Sequence, residues 1–173
     1  LIDDGSTDAT PQALREISDP RLKVIRHEQG GGAAAARNAG LAQARAPLLA
    51  FLDDDDLWFP DKLQRQLAAL RAAPAGTGVC LSAFLRWFPD GAALLGKAEF
   101  DQLDFRRNGQ GAYHYSIITT SGWLIERAAL DKAGGGFDTR LRSWDDWELN
   151  LRLWLQTRFT FVEQPTFLQD RVQ

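Results

Sequence analysis

Four consecutive aspartates, Asp53 to Asp56, stand between the apolar run "PLLAFL" and the aromatic pair Trp58 and Phe59 that leads into Pro60. Carboxylates this close repel, and each pushes its neighbour's pKa upward, so the cluster is costly unless a cation offsets it. A hard divalent ion such as Mg²⁺ or Mn²⁺ removes that cost while taking only one or two protein carboxylates, and fills its other positions with water and phosphate oxygens. The pattern therefore points to a diphosphate-bearing ligand. The plainer reading is that the four side chains leave the core and cap a helix starting near Pro60, since acidic groups are favoured before a helix N-terminus. An EF-hand loop is excluded, because its sixth and twelfth positions want glycine and glutamate, and counting from Asp53 they hold Trp58 and Gln64.

Two more acidic groups accompany this one. Asp3, Asp4 and Asp8 surround Gly5, Ser6 and Thr7, a composition suited to a turn with local side-chain hydrogen bonds, or to a mere connection between strand and helix. Asp145 and Asp146 follow Ser143 at the start of a long helical pattern. By themselves they read as a capping box with favourable dipole placement. A carboxylate at a helix start in a cleft is also placed to accept a proton from a substrate hydroxyl. The occurrence of all three clusters in one chain favours the chemical reading.

The elements that must position these groups alternate. "LIDDGSTDAT" reads as the end of a strand and a polar turn, and "PQALREIS" as a helix capped by Thr10 with Pro11 in its first turn. "RLKVIRH" reads as a short strand, and "EQGGGAAAARNAGLAQARA" as a glycine-rich loop entering an alanine-rich helix. "PLLAFL" has the continuous apolar character of a strand covered on both faces, and it delivers Asp53 to Asp56 at its C-terminal end. A helix from Pro60 follows, then strands through "TGVCLSAFLRWF" and "PDGAALLGKAEF" with a turn at Pro89 to Gly91. "SGWLIERAALDKAGGGF" reads as strand into helix, and "SWDDWELNLRLWLQT" as a helix with Trp147, Leu151, Trp154 and Leu155 on one face. "RFTFVEQ" closes the sheet. Such alternation implies an α/β fold with a mainly parallel sheet flanked by helices, in which ligands sit beyond the carboxyl ends of the strands.

Composition narrows the function classes. The chain of 173 residues is 45% apolar and 25% charged, with a net charge of -3, which suits one globular domain. It has no run of Lys or Arg to neutralise a phosphate backbone, so nucleic acid is not an expected partner. The single cysteine, Cys80, lies in an apolar stretch and reads as a small buried thiol. No apolar run approaches the roughly 20 residues that span a bilayer, and no signal peptide opens the chain, so the expected location is cytoplasmic or membrane-peripheral.

The three clusters, in order and spacing, resemble family 2 glycosyltransferases with the GT-A, Rossmann-like nucleotide-diphospho-sugar transferase fold. The resemblance rests on "LIDDGSTDAT", on "AAARNAGLAQARAPLLAFLDDDDLWFPDKL" and on "GGFDTRLRSWDDWELNLRL", which match the family's DDGSTD turn, its ARN-x-G helix followed by L-D-x-D-D, and its G-G-F-D and E-D-W segments. It covers nearly the whole chain, read as a single domain over residues 1–173. It implies that Asp3 and Asp4 help hold the nucleoside, that Asp53 lies near the ribose or diphosphate, and that Asp55 ligates Mn²⁺ or Mg²⁺. Asp54 falls at a position the family leaves variable and joins the nucleotide-sugar-binding set, and Asp56 supports the site. Asp146 is implied as the general base, with Asp145 where the family usually has Glu. Arg37 and Asn38 match the family's helix; steadying the donor or the acidic loop, and plain capping or surface pairing, are both open to them.

The implied activity is transfer of a sugar from a nucleotide-diphosphate donor, UDP-linked, to a hydroxyl of a glycan or lipid-linked acceptor, with inversion and metal dependence. Two departures qualify it. The family's usual first strand and helix are absent before "LIDDGSTD", so the chain is expected to be part of a longer protein, to self-associate through an exposed sheet edge, and to reach a membrane only through its parent. "LQDRVQ" puts Gln173 where many members carry a histidine. Rival readings are a non-catalytic sugar-nucleotide-binding remnant and a sugar-phosphate nucleotidyltransferase; the latter needs no acceptor base at Asp146. Tyr113, His114 and Tyr115 are open to stacking on an acceptor or to ordinary packing.

Overall fold

The computed structural model describes residues 1–88, 91–95 and 119–169. Tyr113, His114, Tyr115 and Gln173 lie outside the described residues. β1 (Ile2–Asp3) pairs in parallel with β2 (Ile25–Arg26) as a two-stranded sheet. β3 (Leu48–Ala50), β8 (Leu124–Glu126), β5 (Thr77–Ser82) and β9 (Arg158–Val162) form a second sheet in the spatial order β3-β8-β5-β9. A third holds β4 (Asp56–Trp58), β10 (Phe167–Gln169), β6 (Phe84–Phe88) and β7 (Gly91–Leu95) in that order. β5 and β9 run parallel, β3 and β5 run antiparallel to β8, and β6 with β7 is the expected hairpin.

The helices are α1 (Thr10–Glu16), α2 (Ala33–Gln43), α3 (Lys62–Ala72), α4 (Arg127–Lys132) and α5 (Asp145–Gln156). Thr10 is not the cap of α1 but its first residue; Ala9 stands at the cap with no side-chain bond, and the Asp8 carboxylate accepts the Thr10 backbone N–H at 2.9 Å. Pro11 sits in the first turn, where a missing N–H leaves nothing unpaired. Among the described residues, no helix is long and apolar enough to cross a membrane.

The core gathers where α4 and α5 pack on the second sheet: Val79, Ile125, Leu130, Leu149, Leu153 and Trp123 are all buried. The core face of α5 differs from the aromatic stripe suggested by its sequence. Leu149 and Leu153 are fully buried, whereas Leu155 is 74% exposed. Positions 149 and 153 lie four apart and so share one side of the helix, and Trp147 and Trp154 pack at its margin. "PLLAFL" also differs: Leu49 is buried, but Ala50 and Leu52 are exposed. β3 pairs only with β8, so its other edge is not covered by a further strand among the described residues.

That edge of β3 and the edge of β1 border the same cleft, floored by α2 through Arg37, Gly40 and Leu41. Both carboxylate turns, after β1 and after β3, open into it. On α5, Leu149→Ala is expected to lower unfolding free energy by about 2–5 kcal/mol, and Leu155→Ala by no more than about 0.5 kcal/mol, measured by urea denaturation.

Candidate active site

The turn after β1 is built by its own aspartates. Asp3 is buried, accepts the Ser6 backbone N–H at 2.9 Å and pairs with Arg26. Hydrogen bonds from the Ser6 hydroxyl and backbone, then Arg26, hold its carboxyl below the usual range. Asp4 meets His27 Nδ1 at 2.6 Å and accepts the backbone N–H groups of Gly31 and Gly32 at 2.9 and 2.7 Å, which ties the turn to the loop entering α2. The His27 contact, ahead of those amides, lowers its pKa. Gly5 has φ +83°, and a Cβ there would lie 2.8 Å from Gly30 N, so two loops pass where only glycine fits.

The second turn hangs on residues the sequence did not single out. The Asp53 backbone N–H donates to Ser121 Oγ at 3.0 Å, and the Thr120 hydroxyl donates to the Asp53 carboxylate at 3.0–3.1 Å. Asp56 N–H donates to Asp53 O at 3.2 Å, closing the turn before β4. Asp54 and Asp55 are exposed at its apex, and Asp56 is half-buried where β4 begins. The Thr120–Gly122 3-10 turn that grips Asp53 leads directly into β8.

Arg37 joins this turn to the third cluster. Its guanidinium donates to Asp53 Oδ1 at 2.8 Å and to Asp145 Oδ2 at 3.0 Å. Burial works against its charge, but Asp53, then Asp145 and Asp146, outweigh that and raise its pKa. Asn38, one position on, clamps Phe137 from both sides: its Oδ1 accepts the Phe137 N–H and its Nδ2 donates to Phe137 O, each at 2.8 Å. A Cβ at Gly136 would come within 2.1 Å of Asn38 Oδ1, so the glycine is required by close approach. The α2 pair thus holds both the acidic turn and the start of the segment that leads to α5.

Asp145 and Asp146 lie in the first turn of α5, but Ser143 does not cap it. Trp144 is the residue before the helix, in the left-handed region at φ 71° and half exposed. Asp146 Oδ1 accepts the Trp147 N–H at 2.7 Å. Burial pushes the Asp146 pKa up, with Asp145 and Asp53 adding to the shift and Arg37 opposing it. The structure therefore brings Arg37, Asp53, Asp145 and Asp146 together, with Asp3 and Asp4 across the cleft.

The cleft measures about 1030 Å³, room enough for a small-molecule ligand. No group of three or more metal-ligating side chains stands ready among the described residues. The donor set still fits Mg²⁺ or Mn²⁺, which need only one or two carboxylates beside diphosphate oxygens. Asp55 is exposed for that role, whereas Asp53 is already engaged by Arg37 and Thr120.

Residues 1–134 match the family model described as glycosyl transferase family 2. Succinoglycan biosynthesis protein ExoU of Rhizobium meliloti (strain 1021) is 31% identical over 166 residues, covering 88% of this chain and 47% of the relative. Residues 1–349 of S. aureus TarS in complex with UDP-GlcNAc superpose with a TM-score of 0.78 at 21% identity, over 99% of this chain and 49% of that one. The mannosyltransferase PcManGT of Pyrobaculum calidifontis, in complex with GDP-Man and Mn²⁺, gives 0.66 at 19% identity, over 96% and 46%. The chain spans less than half the length of the curated relatives it matches.

Arg37→Ala leaves two partly buried carboxylates without their shared cation and is expected to cost about 1–3 kcal/mol of stability, read from the urea midpoint.

Proposed function

The chain belongs to glycosyl transferase family 2, and from that premise we propose that it moves a sugar from a UDP-linked donor to a hydroxyl of a glycan or lipid-linked acceptor, with inversion at the anomeric carbon. The observation that carries this reading is Arg37, a cleft residue whose guanidinium bonds Asp53 on the cleft wall and Asp145 at the start of the helix bearing Asp146. TarS with bound UDP-GlcNAc supports a UDP-linked donor, PcManGT with Mn²⁺ supports a divalent cation, and ExoU supports a polysaccharide product.

In this reading Asp3 and Asp4 shape the nucleoside end of the cleft, Asp53 and Asp54 flank the ribose and diphosphate, and Asp55 holds the Mn²⁺ or Mg²⁺. When bound, that cation takes up negative charge on the departing diphosphate. Asp146 accepts the acceptor's hydroxyl proton as the hydroxyl oxygen bonds to the anomeric carbon and the diphosphate leaves from the opposite face with its electron pair. A carboxyl with a raised pKa is a better proton acceptor than a free aspartate, which suits burial at this position. Asp145 and Asp56 act behind it, the first by anchoring Arg37, the second by ending the turn.

Calorimetric titration of UDP with and without Mn²⁺ tests the donor half: metal-dependent binding should be lost in Asp55→Ala, and binding that ignores both metal and mutation would overturn the assignment. For the acceptor half, Asp146→Asn should lower UDP release from UDP-sugars in the presence of acceptor by about 10²–10⁴-fold while UDP binding persists. The thermal midpoint should hold or rise, because a neutral amide removes a buried charge. Activity should fall as pH drops through the raised Asp146 pKa, above the ordinary aspartate range, since only the ionised form accepts the proton.

A further inference from the structure

Beneath the acidic turn, outside the cleft, lies a buried polar assembly that the proposed chemistry does not use. Lys62 and Gln66 stand four apart on the inner side of α3, only 1% and 0% exposed. Lys62 Nζ donates to Gln66 Oε1 and lies 4.3 Å from the centre of the Trp58 ring. Gln66 Nε2 donates to Gly122 O at 2.7 Å and to Cys80 O at 3.1 Å. Trp58 Nε1 donates to Ser121 O at 3.1 Å.

These contacts converge on the two ends of the turn. Its first residue, Asp53, is fixed by Thr120 and Ser121, and the strand that leaves it ends at Trp58, fixed by Ser121 and Lys62. The same Thr120–Gly122 turn serves both, and Gln66 holds it from below. A buried lysine is expensive: burial lowers its pKa to about 7, and the Cys80 thiol, itself pushed up to about 12 by burial, opposes that shift without cancelling it. A methionine would fill the space without that cost, so packing alone does not account for an amine here. Either protonation state of the amine still donates N–H to Gln66 and toward the Trp58 ring.

We propose that Lys62 is a positioning residue for donor binding: acting through Gln66 and Trp58, it sets the placement of the Asp53 to Asp56 turn without touching the ligand. The functional consequence rests on the reading of that turn as the diphosphate and metal loop.

The test compares wild type with Lys62→Met by thermal melting, by amide hydrogen exchange at residues 53–57, and by UDP titration in the presence of Mn²⁺. The expected result is a thermal midpoint that stays level or rises, exchange at 53–57 faster by at least tenfold with α5 unchanged, and UDP affinity weaker by at least tenfold. Trp58→Phe, which keeps a ring but drops the bond to Ser121 O, should show the same exchange and affinity changes, and it decides the matter if Lys62→Met does not fold. Unchanged exchange and affinity in both variants would overturn the proposal and leave Lys62 a structural filler. Wild type that fails to bind UDP would instead overturn the reading of the turn as a donor loop, while the exchange comparison still reports whether Lys62 positions it.

Discussion

A guanidinium shared by two carboxylates is the constraint around which the site is arranged. Arg37 comes from a helix whose sequence is mostly alanine, and it reaches Asp53, 16 residues away, and Asp145, 108 residues away. It ties the turn after β3, which Thr120 and Ser121 also hold, to the start of α5. The cation also sets how much negative charge the turn presents to the cleft: it answers Asp53 while Asp54 and Asp55 stay exposed. Four aspartates in a row are thus divided by their surroundings. One is bound to a cation of the protein, one starts a strand, and two face the solvent at the apex.

Asn38 extends the same logic to the backbone. An amide side chain that both donates to and accepts from Phe137 replaces a strand pairing between segments 99 residues apart. Because Gly136 leaves no space for a Cβ beside it, the contact has one geometry. Arg37 and Asn38 together make α2 the part that registers the turn after β3 against the segment and helix that carry Asp146.

Much of this was legible in the sequence, for a definable reason. Asp53 to Asp56, the DDGSTD turn and Asp145 to Asp146 announce themselves because like charges packed together have few uses, and because each follows a strand pattern or opens a helix. Local signals also gave the hairpin of β6 and β7. What stayed hidden depends on pairing over long separations. Thr120 and Ser121 are ordinary polar residues until Asp53 is placed 67 to 68 positions upstream against them. Nothing local marks Lys62 as buried, and it is the packing of α3 on β5 that encloses it. On α5 the tryptophans drew the apolar stripe toward Leu155, although the sheet is met by Leu149 and Leu153.

The division of the strands between separate sheets bears on cooperativity. Among the described residues β1 pairs only with β2, and its turn is stitched mainly to the adjoining loop and α2 through Asp4, Gly31 and Gly32. The buried core lies elsewhere, under α4 and α5. The first 30 or so residues therefore form a unit able to open at a lower free energy than the whole molecule. The cleft takes its walls from both units, so a ligand spanning them would act as a strut: mass action on its binding would merge two unfolding events into one.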